Sequence, residues 1–259
     1  MQLTNRLEEL ESELRAFSCR PETLAGDLVL FGLGADVLET ATSVLHTAAS
    51  ALPHKAFSNA RLAFEGAQIL VVLAAHETYE LAGPQAWVYF EMKSAAWRAS
   101  AQRMRNASSA TNQKEILELR VESMATVWDS VCQGHGKLLR DAFELVWKER
   151  KKRPDNCLHE NITARQHAAY ELFAASGTRA ITRDSAGVNQ AMYEVLCHET
   201  HAHPRLESFG IIQDASRQTI KVDRLPRDLQ VARSAVIGGT ELAVWEAALG
   251  LRWQRTGAI

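Results

Sequence analysis

Arg61-Leu-Ala-Phe-Glu65-Gly-Ala-Gln68-Ile-Leu-Val-Val-Leu-Ala-Ala-His76 is the stretch of the chain that decides the fold. Its apolar side chains point in all directions around a helix, and such a helix is normally buried inside a bundle. At 100° per residue, however, the polar side chains fall on one stripe about 80° wide: Arg61, Glu65, Gln68, His76 and Tyr79. Because an unpaired buried charge costs several kcal/mol, this stripe predicts polar partners or water inside a helical bundle.

Helical periodicity dominates the rest of the sequence. Residues 1–18 repeat apolar positions at spacings of three and four, which predicts an amphipathic helix that docks onto its own bundle or forms a dimer seam. Further helices are predicted at 27–50, 56–81, 85–105, 113–152, 163–176, 184–204 and 226–255, with a break or kink at Gly134 and Gly136 in the fourth of these.

One segment, residues 208–223, shows the alternation of a β-hairpin around Asp214-Ala-Ser-Arg217. The prediction is therefore an all-α, multi-helix bundle with one small β-hairpin between the last two long helices. We expect a single domain over residues 1–259.

A second polar segment lies in the helix before the hairpin: Tyr193-Glu194-Val-Leu-Cys-His198-Glu-Thr-His201-Ala-His203-Pro204. Helical geometry places Glu194, His198 and His201 on one face, within about 60° of one another. His203 precedes a proline, which takes it out of helical geometry and lets its ring turn towards the others.

The same helical pattern predicts which side of this segment faces the core. Val188, Met192 and Val195 mark the core side, and Tyr193 lies opposite to it. We expect the Arg61 stripe and the histidine stripe to face each other in one polar pocket, with Arg233 of the last helix as part of a third wall.

Composition limits the partners and the compartment. The formal net charge of -2 gives no global basic field, so a nucleic-acid partner needs a local patch. The four cysteines are widely spaced, as expected for free thiols in a reducing compartment. The amino terminus is polar, and no charge-free run reaches the roughly 18 to 20 apolar residues of a membrane span. We expect a soluble, cytoplasmic protein without a membrane partner.

Metal chemistry is one function that the histidines suggest. His198-Glu-Thr-His201 is one residue shorter than the zinc motif His-Glu-x-x-His, although ligation by these histidines with Glu65 or Glu194 is sterically feasible. Paired Glu-x-x-His motifs, which a di-iron bundle requires, are absent from the sequence. We expect no metal and no cofactor, and a divalent-metal-dependent hydrolase is an alternative.

Metal-free RNA cleavage is the leading function that the residues suggest. It needs an imidazole to move protons and a cation to stabilise the transition state, and an arginine fork matches phosphate oxygens. The predicted catalytic residues are Arg61, Glu65, His198, His201 and His203, and the predicted binding residues are Gln68, His76, Tyr193, Glu194 and Arg233. The partner would be RNA or a nucleotide.

A non-catalytic role is the alternative from another class of protein. Buried Arg-Glu-His networks often only link helices, and the chain would then be a helical interaction or scaffold module. In either case we expect that helical surfaces can form a homodimer.

The layout also resembles a known family. The helix opening Arg61-Leu-Ala-Phe-Glu65, the late segment from Tyr193 to His203-Pro204, a short hairpin and a closing apolar helix are similar to a widespread bacterial family of unknown function. Its members share an Arg-x-x-x-Glu helix and a late Tyr…His-Pro segment, and the resemblance spans about Asp27 to Trp253.

That family is loosely similar to HEPN-type helical bundles, many of which are metal-independent ribonucleases in toxin and phage-defence systems. The resemblance therefore implies an RNA-cleaving bundle active in stress or phage defence. HEPN nucleases carry Arg and a nearby His on one helix, whereas no Arg lies within two helical turns before His198 in this chain. Arg153 and His159 match the letters of that motif, but Pro154 lies between them.

Overall fold

The computed structural model describes residues 2–48, 56–76, 78–105, 112–149, 170–171, 188, 191–196, 209–214, 219–224 and 226–256. This part of the chain is an all-α bundle, which confirms the predicted class. Its helices are α1 (Gln2–Ala16), α2 (Leu24–Ala48), α3 (Phe57–Ala74), α4 (Tyr79–Arg105), α5 (Gln113–Val131), α6 (His135–Glu149) and α7 (Pro226–Thr256). A short 3-10 helix, Pro21–Thr23, precedes α2, and residues 191–196 are also helical.

Two six-residue strands lie between residues 191–196 and α7 in the chain. They are β1 (Phe209–Asp214) and β2 (Thr219–Arg224), and they pair antiparallel. Phe209 lies opposite Arg224, and Asp214 lies opposite Thr219.

The chain divides into two compact units. Unit 1 comprises Met1–Arg15, Leu33–Ile69 and Thr182–Leu249. Unit 2 comprises Ala16–Gly32, Leu70–Ile181 and Gly250–Ile259. Because α2, α3 and α7 contribute residues to both units, the expectation of a single domain stays a prediction.

The core of unit 1 includes the leucine stripe of α1. Its four leucines are buried within one copy of the chain: Leu3, Leu7, Leu10 and Leu14. Close helix approach is visible at Gly66, where an added Cβ would lie 3.1 Å from Cγ2 of Val37. Gly66 therefore lets α3 approach α2 closely.

In unit 2, α4, α5 and α6 pack against one another around buried side chains such as Leu117, Trp128 and Leu139. The predicted break at the glycines is confirmed, since α5 ends at Val131 and α6 begins at His135. Gly134 has a φ of 93°, in the left-handed region that favours glycine.

Asp129 fixes the turn between α5 and α6. Its Oδ1 accepts hydrogen bonds from the backbone N–H groups of Gly134 (3.1 Å) and Gly136 (2.8 Å), and its Oδ2 accepts one from Arg140 (3.0 Å). The hydrogen bond from Arg140, followed by that from Gly136, holds the pKa of Asp129 below its ordinary value. This turn forms the break between α5 and α6.

The prediction of a single helix over residues 56–81 is wrong, and Gly83-Pro84, a pair typical of helix ends, does not end a helix here. α3 ends at Ala74, and both residues lie inside α4. A Cβ on Gly83 would lie 2.9 Å from the Cα of Gly26, so this glycine allows two helices to approach closely. Pro84 is the sixth residue of α4, beyond its first turn, so the carbonyl group of Glu80 receives no backbone hydrogen bond from residue 84.

Among the described residues, Pro21–Ala48 is long and apolar enough to cross a membrane by length and composition, with a mean hydropathy of 1.6 over its best window. The stretch is not free of charge, because it contains Asp27, Asp36 and Glu39. One third of the residues in this window are buried. A core helix and a signal sequence have this composition too, so the cytoplasmic location stays a prediction.

Candidate functional site

The candidate site is built around an ion pair on α3. Nε of Arg61 donates a hydrogen bond of 2.8 Å to Oε1 of Glu65. The pair forms because residues four apart lie on the same side of a helix, as the sequence predicts. Both side chains are half-buried, with 28% of Arg61 and 34% of Glu65 exposed, so the pair is accessible to a solute.

Tyr193 joins this pair from a segment 128 residues further along the chain. Its hydroxyl donates a hydrogen bond of 3.2 Å to Oε1 of Glu65. The guanidinium carbon of Arg61 lies 5.9 Å from the centre of the Tyr193 ring, within the range of a cation–π contact. Phe64 stacks on the same ring, with centroids 6.4 Å apart and an angle of 22° between the planes. We call Arg61, Phe64, Glu65 and Tyr193 the Arg61 cluster.

The orientation of the 191–196 segment differs from the prediction. Val188 and Val195 are 57% and 43% exposed, although the sequence places them on the core side. Leu196 is buried instead, and a Cβ on Gly239 of α7 would meet Met192 and Leu196 at 3.1 and 3.2 Å. The buried face is therefore rotated by roughly 80° from the predicted one.

Tyr193 explains the rotation. The sequence pattern counts tyrosine as polar and places Tyr193 away from the core, but its ring is apolar and needs cover. The ring packs on Phe64 while the hydroxyl reaches Glu65, so both parts of the side chain are accommodated. The same rotation leaves Glu194, a predicted binding residue, exposed to solvent.

The remaining α3 stripe is shorter than predicted. Gln68 is buried, one turn after Glu65, as expected for a residue on this stripe. His76 lies beyond the end of α3 and in unit 2, so its assignment to the α3 stripe is wrong. Nδ1 of His76 accepts a hydrogen bond of 3.1 Å from the backbone N–H of Thr78, which stabilises the turn before α4.

Arg233 has a structural contact that the sequence does not predict. Its Nε donates a hydrogen bond of 2.9 Å to the backbone oxygen of Ala48, the last residue of α2. The terminal carbonyl groups of a helix lack intrahelical partners, and a cation is favourable beside them. This contact gives Arg233 a role in stabilising the end of α2, and its predicted role in binding stays a prediction.

His198, His201 and His203, the predicted catalytic histidines, lie outside the described residues. In the part of the chain that the structure describes, no group of three or more His, Cys, Asp or Glu side chains is arranged to hold a metal ion.

Two side chains of unit 1 were not among the site residues predicted from the sequence. Phe64 forms the stacking surface for the Tyr193 ring. Its position one helical turn after Arg61 is the feature of the sequence that could have identified it as part of the site. Glu246 of α7 is completely buried. Its burial was indicated by the sequence, because it is the only carboxylate in the apolar run Ala243-Val-Trp-Glu-Ala-Ala248.

The geometry of the Arg61 cluster suits the binding of an anion more than a covalent reaction. A half-exposed guanidinium is held from one side by a carboxylate and from another by an aromatic ring, which limits its rotamers. A restrained arginine fork can hold two phosphate oxygens at little further cost in entropy.

No protein-family model, curated protein or solved structure matches this chain.

Proposed function

We propose that the Arg61 cluster binds a phosphate group of RNA or of a nucleotide, and that the chain is a metal-independent, HEPN-like ribonuclease of the cytoplasm. One observation supports this most strongly: Glu65 and Tyr193, 128 residues apart, converge on the guanidinium of Arg61. A guanidinium restrained by two groups is preorganised for a phosphate, which lowers the cost of binding.

In this proposal each group has one role. Arg61 contacts the scissile phosphate, and Glu65 orients Arg61. A histidine among His198, His201 and His203 removes the proton of the 2′-hydroxyl, whose oxygen attacks phosphorus while the bond to the 5′-oxygen breaks. A protonated imidazole supplies the proton to that leaving oxygen, so the products are a 2′,3′-cyclic phosphate and a 5′-hydroxyl.

The test is RNA cleavage by the purified protein in the presence of EDTA. We expect cyclic-phosphate ends with the natural chain, and a rate lower by at least about 100-fold with His201→Ala, because general acid–base catalysis contributes about that much. His46→Ala is the control, since His46 is exposed on α2, and it should cleave at the normal rate.

Absence of RNA cleavage by the natural chain, or equal rates for His201→Ala and His46→Ala, would contradict the proposal. Cleavage that EDTA abolishes and a divalent metal restores would instead support the metal-dependent hydrolase.

A non-catalytic interaction module is the second candidate, and the surface of α5 favours it. Leu119, Val127 and Val131 are all more than half exposed, and helical geometry places them within about 120° of one another. Large apolar side chains exposed along one side of a helix are candidates for an interface. We propose a second copy of the chain as the partner.

Leu119→Glu should then weaken this dimer by at least about tenfold, because a carboxylate would be desolvated in an apolar contact. The measurement is molar mass by light scattering over a dilution series. Val231→Glu is the control, since Val231 is equally apolar and 60% exposed on α7. A natural chain that stays monomeric at high concentration would contradict the dimer.

A further inference from the structure

The carboxyl-terminal half of α4 begins a segment of the chain that carries only basic charges. Residues 92–114 contain five cations and no Asp or Glu, within a chain whose net charge is -2. These cations are Lys93, Arg98, Arg103, Arg105 and Lys114. A local excess of this kind attracts a polyanion even though the whole protein has no basic field.

An exposed tryptophan lies in the middle of this basic segment. The side chain of Trp97 is 74% exposed, the largest value among the large apolar side chains that the structure describes. An indole ring is normally covered, because it carries a large apolar area and is costly to leave in water. We therefore expect a binding partner that covers the flat aromatic ring of Trp97.

Aromatic and cationic side chains alternate along this side of α4. Tyr89, Lys93 and Trp97 are spaced at i, i+4 and i+8 and lie within about 80° of one another. Nζ of Lys93 lies 4.4 Å from the centre of the Tyr89 ring, in a cation–π contact. Arg98 follows Trp97 directly and lies about 100° further around the helix, so Lys93 and Arg98 flank the Trp97 ring on opposite sides. We call Tyr89, Lys93, Trp97 and Arg98 the α4 surface.

Glu91 is the acidic residue nearest in sequence to Lys93, and it does not neutralise the positive charge of the α4 surface. Glu91 receives two hydrogen bonds from Arg120, at 3.0 and 3.1 Å, so its carboxylate is already matched with a cation. Arg98 is exposed and forms no ion pair with any residue in the described ranges. The positive charge of this surface therefore faces solvent.

We infer that the α4 surface binds single-stranded RNA, with a base stacked on Trp97 and backbone phosphates held by Lys93 and Arg98. Single-stranded nucleic acid is recognised by this combination of an aromatic platform and adjacent cations. A membrane surface fits less well, because interfacial helices insert a broad apolar face and this side of α4 exposes one large apolar side chain. A strongly acidic protein would use the cations but would not need the indole ring.

This inference does not depend on the chemistry proposed for the Arg61 cluster. The α4 surface belongs to unit 2 and the Arg61 cluster belongs to unit 1. Binding to the α4 surface and cleavage of RNA are separate measurements, so either proposal can fail while the other holds.

The test is the fluorescence anisotropy of a 20-nucleotide, fluorescein-labelled oligouridine titrated with the full chain. We expect Trp97→Ala to weaken binding by about tenfold or more, since stacking on an aromatic ring contributes about that much per base. Trp97→Phe retains a stacking ring and should stay within about threefold of the natural affinity. Val231→Ala is the control, because Val231 is 60% exposed on α7, outside the α4 surface, and should not change binding.

The charge contribution is tested by Arg98→Glu against Arg15→Glu, which alters an exposed cation of α1 that pairs with Glu11. Arg98→Glu should weaken binding and lower the slope of log K against log salt by about one, whereas Arg15→Glu should leave both unchanged. Equal binding by the natural chain and Trp97→Ala would overturn the inference. So would binding to phosphatidylserine vesicles that requires Trp97 while oligouridine does not bind.

Discussion

Arg61→Ala is expected to lower the rate of RNA cleavage by about 100- to 1000-fold, the usual effect of removing one preorganised group that stabilises transition-state charge. The stability of the fold should change little, because the ion pair with Glu65 is half-exposed and an i,i+4 pair contributes about 0.2 to 0.5 kcal/mol. The measurement is initial cleavage rate together with the midpoint of urea unfolding for the same preparation.

Three further variants separate a role in phosphate binding from a purely structural one. Arg61→Lys retains the charge but loses the two-pronged fork, so we expect an intermediate rate. Glu65→Gln and Tyr193→Phe leave Arg61 in place but weaken its restraint, so they should raise KM more than they lower kcat. If Arg61→Ala instead lowers stability by more than about 2 kcal/mol and has no effect on any nucleic acid, the cluster is a link between helices.

The sequence was sufficient to predict the bundle and to name three of the four residues of the Arg61 cluster, all except Phe64. Arg61 and Glu65 are four residues apart on one helix, and a contact at that spacing follows from helical geometry alone. The starting point of α7 at Pro226 was predictable for a similar reason, since proline is favoured at the first position of a helix.

Tertiary packing determined what the sequence could not predict. The buried side of residues 191–196 depends on Phe64 and on Gly239, which are far away in sequence and receive Tyr193, Met192 and Leu196. Gly83-Pro84 has the local signature of a helix end, and only its distance to Gly26 shows that the glycine serves close packing. His76 was misassigned for a related reason, because one hydrogen bond to Thr78 places it in a turn.

Phe64→Ala should lower the free energy of unfolding by about 3 to 5 kcal/mol, the usual cost of truncating a fully buried phenylalanine. The ring of Phe64 is inaccessible to solvent, so the truncation leaves a cavity in addition to the lost transfer free energy. Leu62→Ala, two residues earlier on α3, is the control: Leu62 is 58% exposed, and its truncation should change the free energy by no more than about 0.5 kcal/mol. Urea denaturation followed by circular dichroism measures both.

The same substitution also tests whether the packing of Tyr193 organises the Arg61 cluster. Phe64 stacks on the ring whose hydroxyl reaches Glu65, so its loss should release Tyr193 as well as destabilise the core. In a double-mutant cycle with Tyr193→Ala, the two losses should therefore be coupled by about 0.5 to 1.5 kcal/mol, as for other aromatic pairs. Strict additivity of Phe64→Ala and Tyr193→Ala would contradict the stacking contact, and with it the convergence of the two segments on which the proposed phosphate site rests.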